Sequence, residues 1–220
     1  MESGNGRVLI APGITVRLFA MDDAAAIADL FQASVRTLAA PDYTPSQLRA
    51  WAPNSIDAEK FGKRCRSKST WLAEIEGRIA GFSDLEPDGH IDRLFCAPEA
   101  AGQGIASRLY DAIEAAARRQ GITSLFTEAS ELARRLFEHK GFAVVKRQNL
   151  VVRGVAIHNY RMAKAMDLTT PHLTWPGGPE CPELALHLSA QRDSSGKQSL
   201  FAPHSGYLRV SCHGHHGPLA

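Results

Sequence analysis

The sequence predicts a mixed α/β domain followed by a tail of different composition. Between residues 14 and 166, short apolar segments of strand length alternate with longer segments whose apolar residues recur at helical spacing. Such alternating elements bury their apolar faces when helices flank a central sheet. From Asp167 onward, proline, glycine, serine and histidine replace this periodicity. We therefore expect a domain at residues 14–166 and a disordered tail at residues 167–220.

Start and stop signals locate the individual elements. Thr44 before Pro45 is typical of a helix cap, and Asp22 or Asp23 can cap an earlier helix. Gly77 is typical of a hairpin turn. The predicted helices are one ending before Pro41, 45–51, 57–66, one beginning after Gly104, and 131–140. The predicted strands are 14–19, 69–76, 78–85, one beginning at His90, 123–128, 142–147 and 156–163.

Composition and charge argue against several classes of protein. A net charge of +2 argues against a role in coating nucleic acid. No apolar run approaches the ~20 residues that span a bilayer, and no secretory signal is visible at the N-terminus. The four cysteines (Cys65, Cys96, Cys181 and Cys212) lack the spacing of a zinc ribbon or a disulfide scaffold. We expect a cytoplasmic protein without nucleic-acid or membrane partners.

The segment from His90 to Tyr110 is the most informative part of the chain. A short strand with alternating side chains, in which His90, Asp92, Leu94 and Cys96 are expected on one face, leads into a glycine loop and a helix. Glycines let the backbone approach a ligand closely, and a helix start directs unpaired N–H groups at it. This arrangement suits a diphosphate, and the neighbouring ionisable side chains indicate a nucleotide-bearing cofactor beside reacting groups.

Two common phosphate loops do not match this segment. A P-loop requires a lysine after its last glycine, whereas Ile105 follows Gly104 here. A dinucleotide-binding loop requires a third glycine, and Ser107 occupies that position. A loop that only reverses the chain before an amphipathic helix is the simpler alternative.

The loop Ala101-Gly-Gln-Gly-Ile-Ala106 resembles the coenzyme A loop of the GNAT N-acetyltransferase superfamily, Gln/Arg-x-x-Gly-x-Gly/Ala, with Ala101 at its first position. Residues 84–92 resemble the strand–turn–strand of the YafP-like branch, and residues 127–142 resemble the late helix and its terminal Gly-Phe. The resemblance covers residues 14–166. It implies the GNAT fold, a central twisted mixed sheet flanked by helices, and an N-acetyltransferase that uses acetyl-CoA and requires no metal.

The resemblance also implies where the cofactor lies. In this superfamily the pantetheine arm lies between two splayed strands, and a strand N–H donates to the thioester carbonyl. That donor corresponds to Leu94, and the backbone of Phe95 and Cys96 is expected to pair with the arm. The diphosphate contacts correspond to the backbone of Gly102, Gln103, Gly104, Ile105, Ala106 and Ser107.

Two interpretations are open for each candidate catalytic residue. His90 occupies the position at which relatives often carry a glutamate base, and Asp92 could orient it or accept the proton. Alternatively, His90 only closes a turn and Asp92 pairs with a cation. Phe137 stands where many relatives have a proton-donating tyrosine, so Ser130 is the candidate donor to the leaving thiolate, or only a helix cap.

The resemblance implies that Tyr43 and Trp51 bind the acceptor, because they lie in the segment that forms the acceptor site in relatives. Alternatively, both aromatic side chains belong to the core. We expect acetyl transfer to a primary amine of a small molecule or a protein by direct attack in a ternary complex, in a monomer or a homodimer. The alternative is a catalytically degenerate acyl-CoA-binding sensor or partner module, because Ala101 and Phe137 depart from the family pattern.

Overall fold

The computed structural model describes residues 13–167, in which three α-helices follow the first strand and four strands follow these helices. The strands are β1 (Ile14–Leu18), β2 (Ser69–Ile75), β3 (Arg78–Leu85), β4 (His90–Ile91), β5 (Leu94–Cys96), β6 (Ser124–Ala129), β7 (Ala143–Val152) and β8 (Val155–Ala165). The helices are α1 (Ala24–Leu38), α2 (Pro45–Trp51), α3 (Ala58–Arg66), α4 (Ile105–Arg119) and α5 (Glu131–His139). The predicted α/β class is confirmed, and the predicted tail lies outside the described residues except for Asp167.

The strands form two four-stranded sheets within the described residues. The first sheet has the order β1-β2-β3-β5 and is antiparallel throughout. The second has the order β4-β6-β8-β7, in which β4 runs parallel to β6 and the other pairs are antiparallel. Since β4 and β5 follow one another directly along the chain, one short segment belongs to both sheets.

Two helix caps follow the sequence signals and a third does not. The Thr44 side chain accepts a hydrogen bond from the Gln47 amide at the start of α2, and Asp57 does the same for α3. Asp23 stands before α1, but its carboxylate accepts from Arg17 and from the Ala20 amide instead of capping the helix. Asp23 is thus the N-cap residue of α1, one of the two positions predicted, but its side chain does not cap the helix because a nearby guanidinium binds the carboxylate.

The core consists of several clusters of buried apolar side chains. Phe82 of β3 packs against Phe61 of α3 and against Phe95 of β5. A second cluster joins Ile91 of β4 to Ile113 of α4, together with residues of β6 and α5. No helix of the part that the structure describes is long and apolar enough to cross a membrane.

A β-bulge separates β4 from β5. The Asp84 amide donates to the Arg93 carbonyl, whereas the Glu86 amide donates to the His90 carbonyl. Residues 84 and 86 are two positions apart, whereas their partners 93 and 90 are three positions apart. The segment between β4 and β5 therefore contains one extra residue. Ile91 and Leu94 consequently pack in the same cluster. The prediction of one continuous alternation from residue 90 to residue 96 is wrong, because the bulge interrupts it.

A buried ion pair holds this bulge in place. Arg93 donates from Nε to Asp84 Oδ2 at 2.6 Å and from its backbone amide to Asp84 Oδ1 at 3.1 Å. The Ser83 hydroxyl donates to the Arg93 carbonyl at 2.6 Å. The Asp84 side chain is fully buried and that of Arg93 is 6% exposed. A buried charge pair with several hydrogen bonds permits little displacement, so the bulge is rigidly positioned.

Candidate active site

The bulge opens a gap between β5 and β6. The pairing of β4 with β6 consists of His90 with Phe126 and Ile91 with Thr127, while β5 pairs with β3. The side of β5 that faces away from β3 therefore has no strand partner among the described residues. A strand edge of this kind carries free amides and carbonyls in a row.

The register of β5 decides which amides point into the gap. The Ala97 amide donates to Ala80 and the Arg93 carbonyl accepts from Asp84, so both residues direct their backbone groups toward β3. Because backbone groups alternate along a strand, those of Leu94 and Cys96 point to the open side. Phe95, the third predicted strand contact, pairs with Phe82 instead, and its ring packs in the core.

The glycine loop that follows β5 has the conformation that only glycine adopts readily. Gly102 and Gly104 have φ values of 78° and 85°, and a Cβ atom at either position would meet nothing within 4 Å. The Gln103 side chain donates to the Glu99 carbonyl at 2.9 Å and so stabilises the loop itself. Open space beside two glycines and a helix start fits a diphosphate bound by backbone amides.

Cys96 lies against the start of α4. The Ala106 amide contacts the Cys96 thiol, and the Gln103 amide donates to the Ala100 carbonyl at 3.3 Å, so these two amides of the predicted loop are already engaged. Burial raises the pKa of the Cys96 thiol to about 11, although the amide contact opposes this effect. The thiol is therefore protonated at neutral pH.

His90 is held between two carboxylates on the other side of the bulge. Its Nε2 lies 2.6 Å from Glu128 Oε2, and its Nδ1 lies 3.5 Å from Glu86 Oε1. The ring stacks on Phe126, with the ring centroids 4.9 Å apart, and the side chain is only 13% exposed. Glu86 and Glu128, rather than Asp92, contact the imidazole.

The two carboxylates determine the charge of His90. Burial lowers the pKa of the imidazole, but the contacts with Glu128 and Glu86 outweigh it and raise the pKa to about 9. The same contact with His90 lowers the pKa of Glu86 to about 2, against the effect of burial. Before a substrate arrives, His90 is thus an imidazolium at neutral pH.

Further cations complete this charged cluster. Lys68 Nζ lies 2.5 Å from Asp92 Oδ2 and 2.6 Å from Glu86 Oε1. Arg161 pairs with Glu128, and its guanidinium carbon lies 4.2 Å from the centroid of the Phe126 ring. Sequence reasoning did not select the cluster residues Lys68, Glu86, Glu128 and Arg161. The sequence pattern indicated only that residues 126 and 128, which both contact His90, lie on the same face of a predicted strand.

Ser130 and Phe137 have different surroundings. Ser130 caps α5, and its Oγ accepts a hydrogen bond from the Ala133 amide at 3.2 Å. A hydroxyl that accepts one hydrogen bond retains its own hydrogen for donation. Phe137 is buried against Tyr110 and Phe142. The position that carries a tyrosine in many relatives therefore belongs to the core in this protein.

Tyr43, a residue predicted to bind the acceptor, contacts α2, α5 and β8. Its hydroxyl donates to the His158 carbonyl at 3.2 Å and accepts from the Glu131 amide at 3.1 Å. Burial is the main reason that the Tyr43 pKa rises to about 12. Trp51 packs edge-on against Tyr43, with the ring centroids 5.4 Å apart. The indole Nε1 of Trp51 is buried without a hydrogen-bond partner among the described residues.

Two sheets joined by a bulged segment, with a gap at its edge and a glycine loop after it, define an acetyltransferase fold of the GNAT type. Residues 39–164 match the family described as the acetyltransferase (GNAT) domain. The chain belongs to this family and is an N-acetyltransferase. It is 31% identical over 150 residues to the uncharacterised N-acetyltransferase YafP of Escherichia coli, covering 68% of this chain and 94% of that relative. The predicted resemblance to the YafP-like branch is confirmed.

Solved structures agree with this assignment. A GCN5-related N-acetyltransferase from Rhodopseudomonas palustris is 32% identical, with a TM-score of 0.67, and covers 73% of this chain and all of its own. The acetyltransferase yncA from Salmonella typhimurium, solved with acetyl-CoA, is 18% identical, with a TM-score of 0.56 over 70% of this chain and 95% of that one. The second similarity concerns the fold alone.

Proposed function

We propose that the protein transfers the acetyl group of acetyl-CoA to a primary amine by direct attack in a ternary complex. The open edge of β5 beside a glycine loop is the observation that carries this proposal. Relatives of the same fold were solved with acetyl-CoA or coenzyme A, which agrees with acetyl-CoA as the donor. A cytoplasmic location and a small-molecule or protein acceptor stay predictions from the sequence.

The main chain supplies the donor site. The Leu94 amide is assigned to the thioester carbonyl, because it points into the gap and is fixed by the bulge. A preoriented N–H that points at developing negative charge lowers the activation free energy by about 2–4 kcal/mol. The amides from Gly102 to Ser107, except those of Gln103 and Ala106, are assigned to the diphosphate.

His90 is assigned as the proton acceptor. Glu128 holds a hydrogen on Nε2, and we assign Nδ1, which lies 3.5 Å from Glu86 Oε1, as the nitrogen that loses and regains a proton. With a pKa of about 9, only about 1% of His90 is neutral at pH 7 in the free enzyme. An ammonium group that approaches Glu86 and Glu128 repels the imidazolium and lowers its pKa. Proton loss from His90 is thereby coupled to the arrival of a cationic substrate.

The remaining predicted residues take supporting roles in this proposal. His90 and Leu94 belong to different strands on either side of the bulge, so we assign a water molecule to carry the proton from the acceptor amine to His90. Asp92 is a positioning residue, because it holds Lys68 against Glu86. Ser130 is assigned as a hydrogen-bond donor to the leaving thiolate. The protonated Cys96 thiol is a poor nucleophile, which favours direct attack over an acetyl-cysteine intermediate.

Release of free thiol from acetyl-CoA with a panel of primary amines tests the proposal. We expect release that depends on the amine and saturates, with no burst in its absence. His90→Gln should lower kcat about 100-fold and leave the Kd of coenzyme A unchanged. His139→Gln, an exposed histidine at the end of α5, is the control. Saturable acetyl-CoA binding without amine-dependent release would instead establish an acyl-CoA sensor.

The pH dependence gives a second test of the base. Because neutral His90 is the active form, kcat/KM should rise with pH to an inflection near the pKa of about 9. Glu128→Gln removes a carboxylate that raises this pKa. The inflection should therefore move to lower pH in this variant. An inflection that stays in place would contradict the role of His90.

A further inference from the structure

We propose that the acceptor carries an amide group close to its reacting amine, and that Asn159 and Trp51 bind this amide. This inference rests on the proposed function and specifies the substrate class of the same site. Two buried polar atoms carry it: the Asn159 Oδ1, an acceptor, and the Trp51 Nε1–H, a donor. Neither atom has a hydrogen-bond partner in the described part of the chain.

Asn159 is an unusual residue for the centre of a strand. It lies in β8 opposite Gln148 of β7 and is only 5% exposed. Buried side-chain polar atoms in folded proteins nearly always have a partner, because burial without one is unfavourable. A leucine or valine would fill the position without this cost. A ligand that supplies the missing donor would remove this cost.

The strand places Asn159 between the charged cluster and the expected acceptor site. Ile157, Asn159 and Arg161 lie on one face of β8, about 7 Å apart from one residue to the next. Ile157 packs in the cluster that contains Tyr43 and is bordered by Trp51. At the other end of this row, Arg161 pairs with Glu128, which holds His90. Asn159 is therefore one step of about 7 Å along β8 from Arg161, the residue paired with Glu128.

Trp51 of α2 is linked through Tyr43 to the residue of β8 that precedes Asn159. Its ring packs against Tyr43, and the Tyr43 hydroxyl donates to the carbonyl of His158, the residue before Asn159. The indole of Trp51 can only donate, and the Asn159 oxygen can only accept. An amide presents one carbonyl and one N–H and satisfies both atoms. A plain alkylamine satisfies neither, and a carboxylate only the indole.

Matched substrates test this inference directly. The amides are glycinamide, β-alaninamide and glycylglycinamide, and each is compared with an n-alkylamine of equal chain length. The measured quantity is the kcat/KM of the amide divided by that of the alkylamine. In the parent this ratio should exceed one for at least one chain length. Preference for glycylglycinamide over the free amides would assign the amide to a peptide terminus, and the reverse to a small molecule.

Variants then assign the preference to the two residues. Asn159→Leu and Trp51→Phe should each lower the ratio about tenfold, the usual effect of losing one hydrogen bond to a buried group. Asn159→Asp keeps the oxygen and should restore most of the preference. In a double-mutant cycle the two changes should couple with the amide substrate only. Asn149→Leu, at an exposed position on β7, is the matched control and should leave the ratio unchanged.

The outcomes separate this inference from the proposed function. Equal ratios in the parent, Asn159→Leu and Trp51→Phe, with acetyl transfer to all amines, would overturn the amide site and leave the acetyltransferase intact. Absence of transfer to any amine would overturn both. Trp51→Phe keeps the ring that packs on Tyr43. It therefore decides the question even if Asn159→Leu does not fold.

Discussion

The donor and acceptor sides of this N-acetyltransferase are built in different ways. The donor side consists of main chain between Leu94 and Ser107: a strand edge, a glycine loop and the start of a helix. The acceptor side consists of side chains from distant segments, such as Lys68, His90 and Glu128. A backbone site depends on local conformation, whereas a side-chain site depends on how strands pair.

The bulge at residues 92 and 93 is the element that both sides share. It ends the pairing of β4 with β6 and so opens the gap for the donor. It also directs Asp92 toward Lys68 and Arg93 toward Asp84. A change at the bulge should therefore affect both sides, and a change elsewhere should affect only one.

The largest expected effect comes from Asp84→Asn. This change removes the carboxylate that hydrogen-bonds the buried Arg93 guanidinium and leaves only Asp92, 3.8 Å from Nε, as a nearby counter-charge, so we expect a loss of about 3 kcal/mol of unfolding free energy. Urea unfolding measures the loss, and both coenzyme A affinity and turnover should fall in the folded fraction. Glu76→Gln breaks the exposed pair with Arg78 and should cost about 1 kcal/mol or less. Equal losses in the two variants would contradict a rigid role for the buried pair.

The charged cluster should separate the pH of greatest stability from the pH of greatest activity. The pKa of His90 is raised from 6.5 to about 9, so its stabilisation is complete below pH 6.5 and is lost as the pH rises through 9. The pKa of Glu86 is lowered from 4.5 to about 2, so its stabilisation is complete above pH 4.5 and is lost as the pH falls through 2. Turnover, in contrast, should increase toward pH 9.

His90→Gln measures this contribution. Parent and variant should differ by roughly 1–3 kcal/mol in unfolding free energy at about pH 6, and this difference should shrink by about pH 10. The reason is that the parent loses its imidazolium over this range while glutamine has no charge to lose. Urea unfolding of both proteins at the two pH values gives the comparison. A difference that stays constant would show that His90 contributes through packing alone.

The donor side could be predicted from the sequence to a greater extent than the acceptor side. The glycines at 102 and 104 predicted a backbone site because glycine tolerates a positive φ, and both have it. The partner of His90 is 38 residues away in the chain and depends on the parallel register of β4 and β6. No local pattern encodes that register or the extra residue of the bulge. The hypothesis that Asp92 orients His90 assumed regular alternation, which the bulge removes.

Gly102→Ala tests the donor side alone. An alanine at a φ of 78° is strained by about 1–2 kcal/mol, and a shift of the loop amides should weaken coenzyme A binding about tenfold. Gly121→Ala introduces the same strain at a φ of 69°, after the end of α4. Both variants should lose similar stability, and only Gly102→Ala should change the Kd measured by calorimetry. A similar change of Kd in both would assign the effect to general destabilisation.

The smallest expected effect is at Ser130, which lies between the donor and acceptor sides. Its replacement tests whether Ser130 only caps α5 or also donates a hydrogen bond to the leaving thiolate. Ser130→Ala removes the hydrogen bond to the Ala133 amide and should cost about 1 kcal/mol of unfolding free energy. Thr44→Ala removes the corresponding cap of α2 and should cost about the same. If Ser130 also donates to the leaving thiolate, kcat should fall severalfold in Ser130→Ala but not in Thr44→Ala. This fall should be largest for acyl donors with a more basic thiol, because a thiolate of higher pKa depends more on a hydrogen bond. Equal turnover in the two variants would leave Ser130 with its capping role alone.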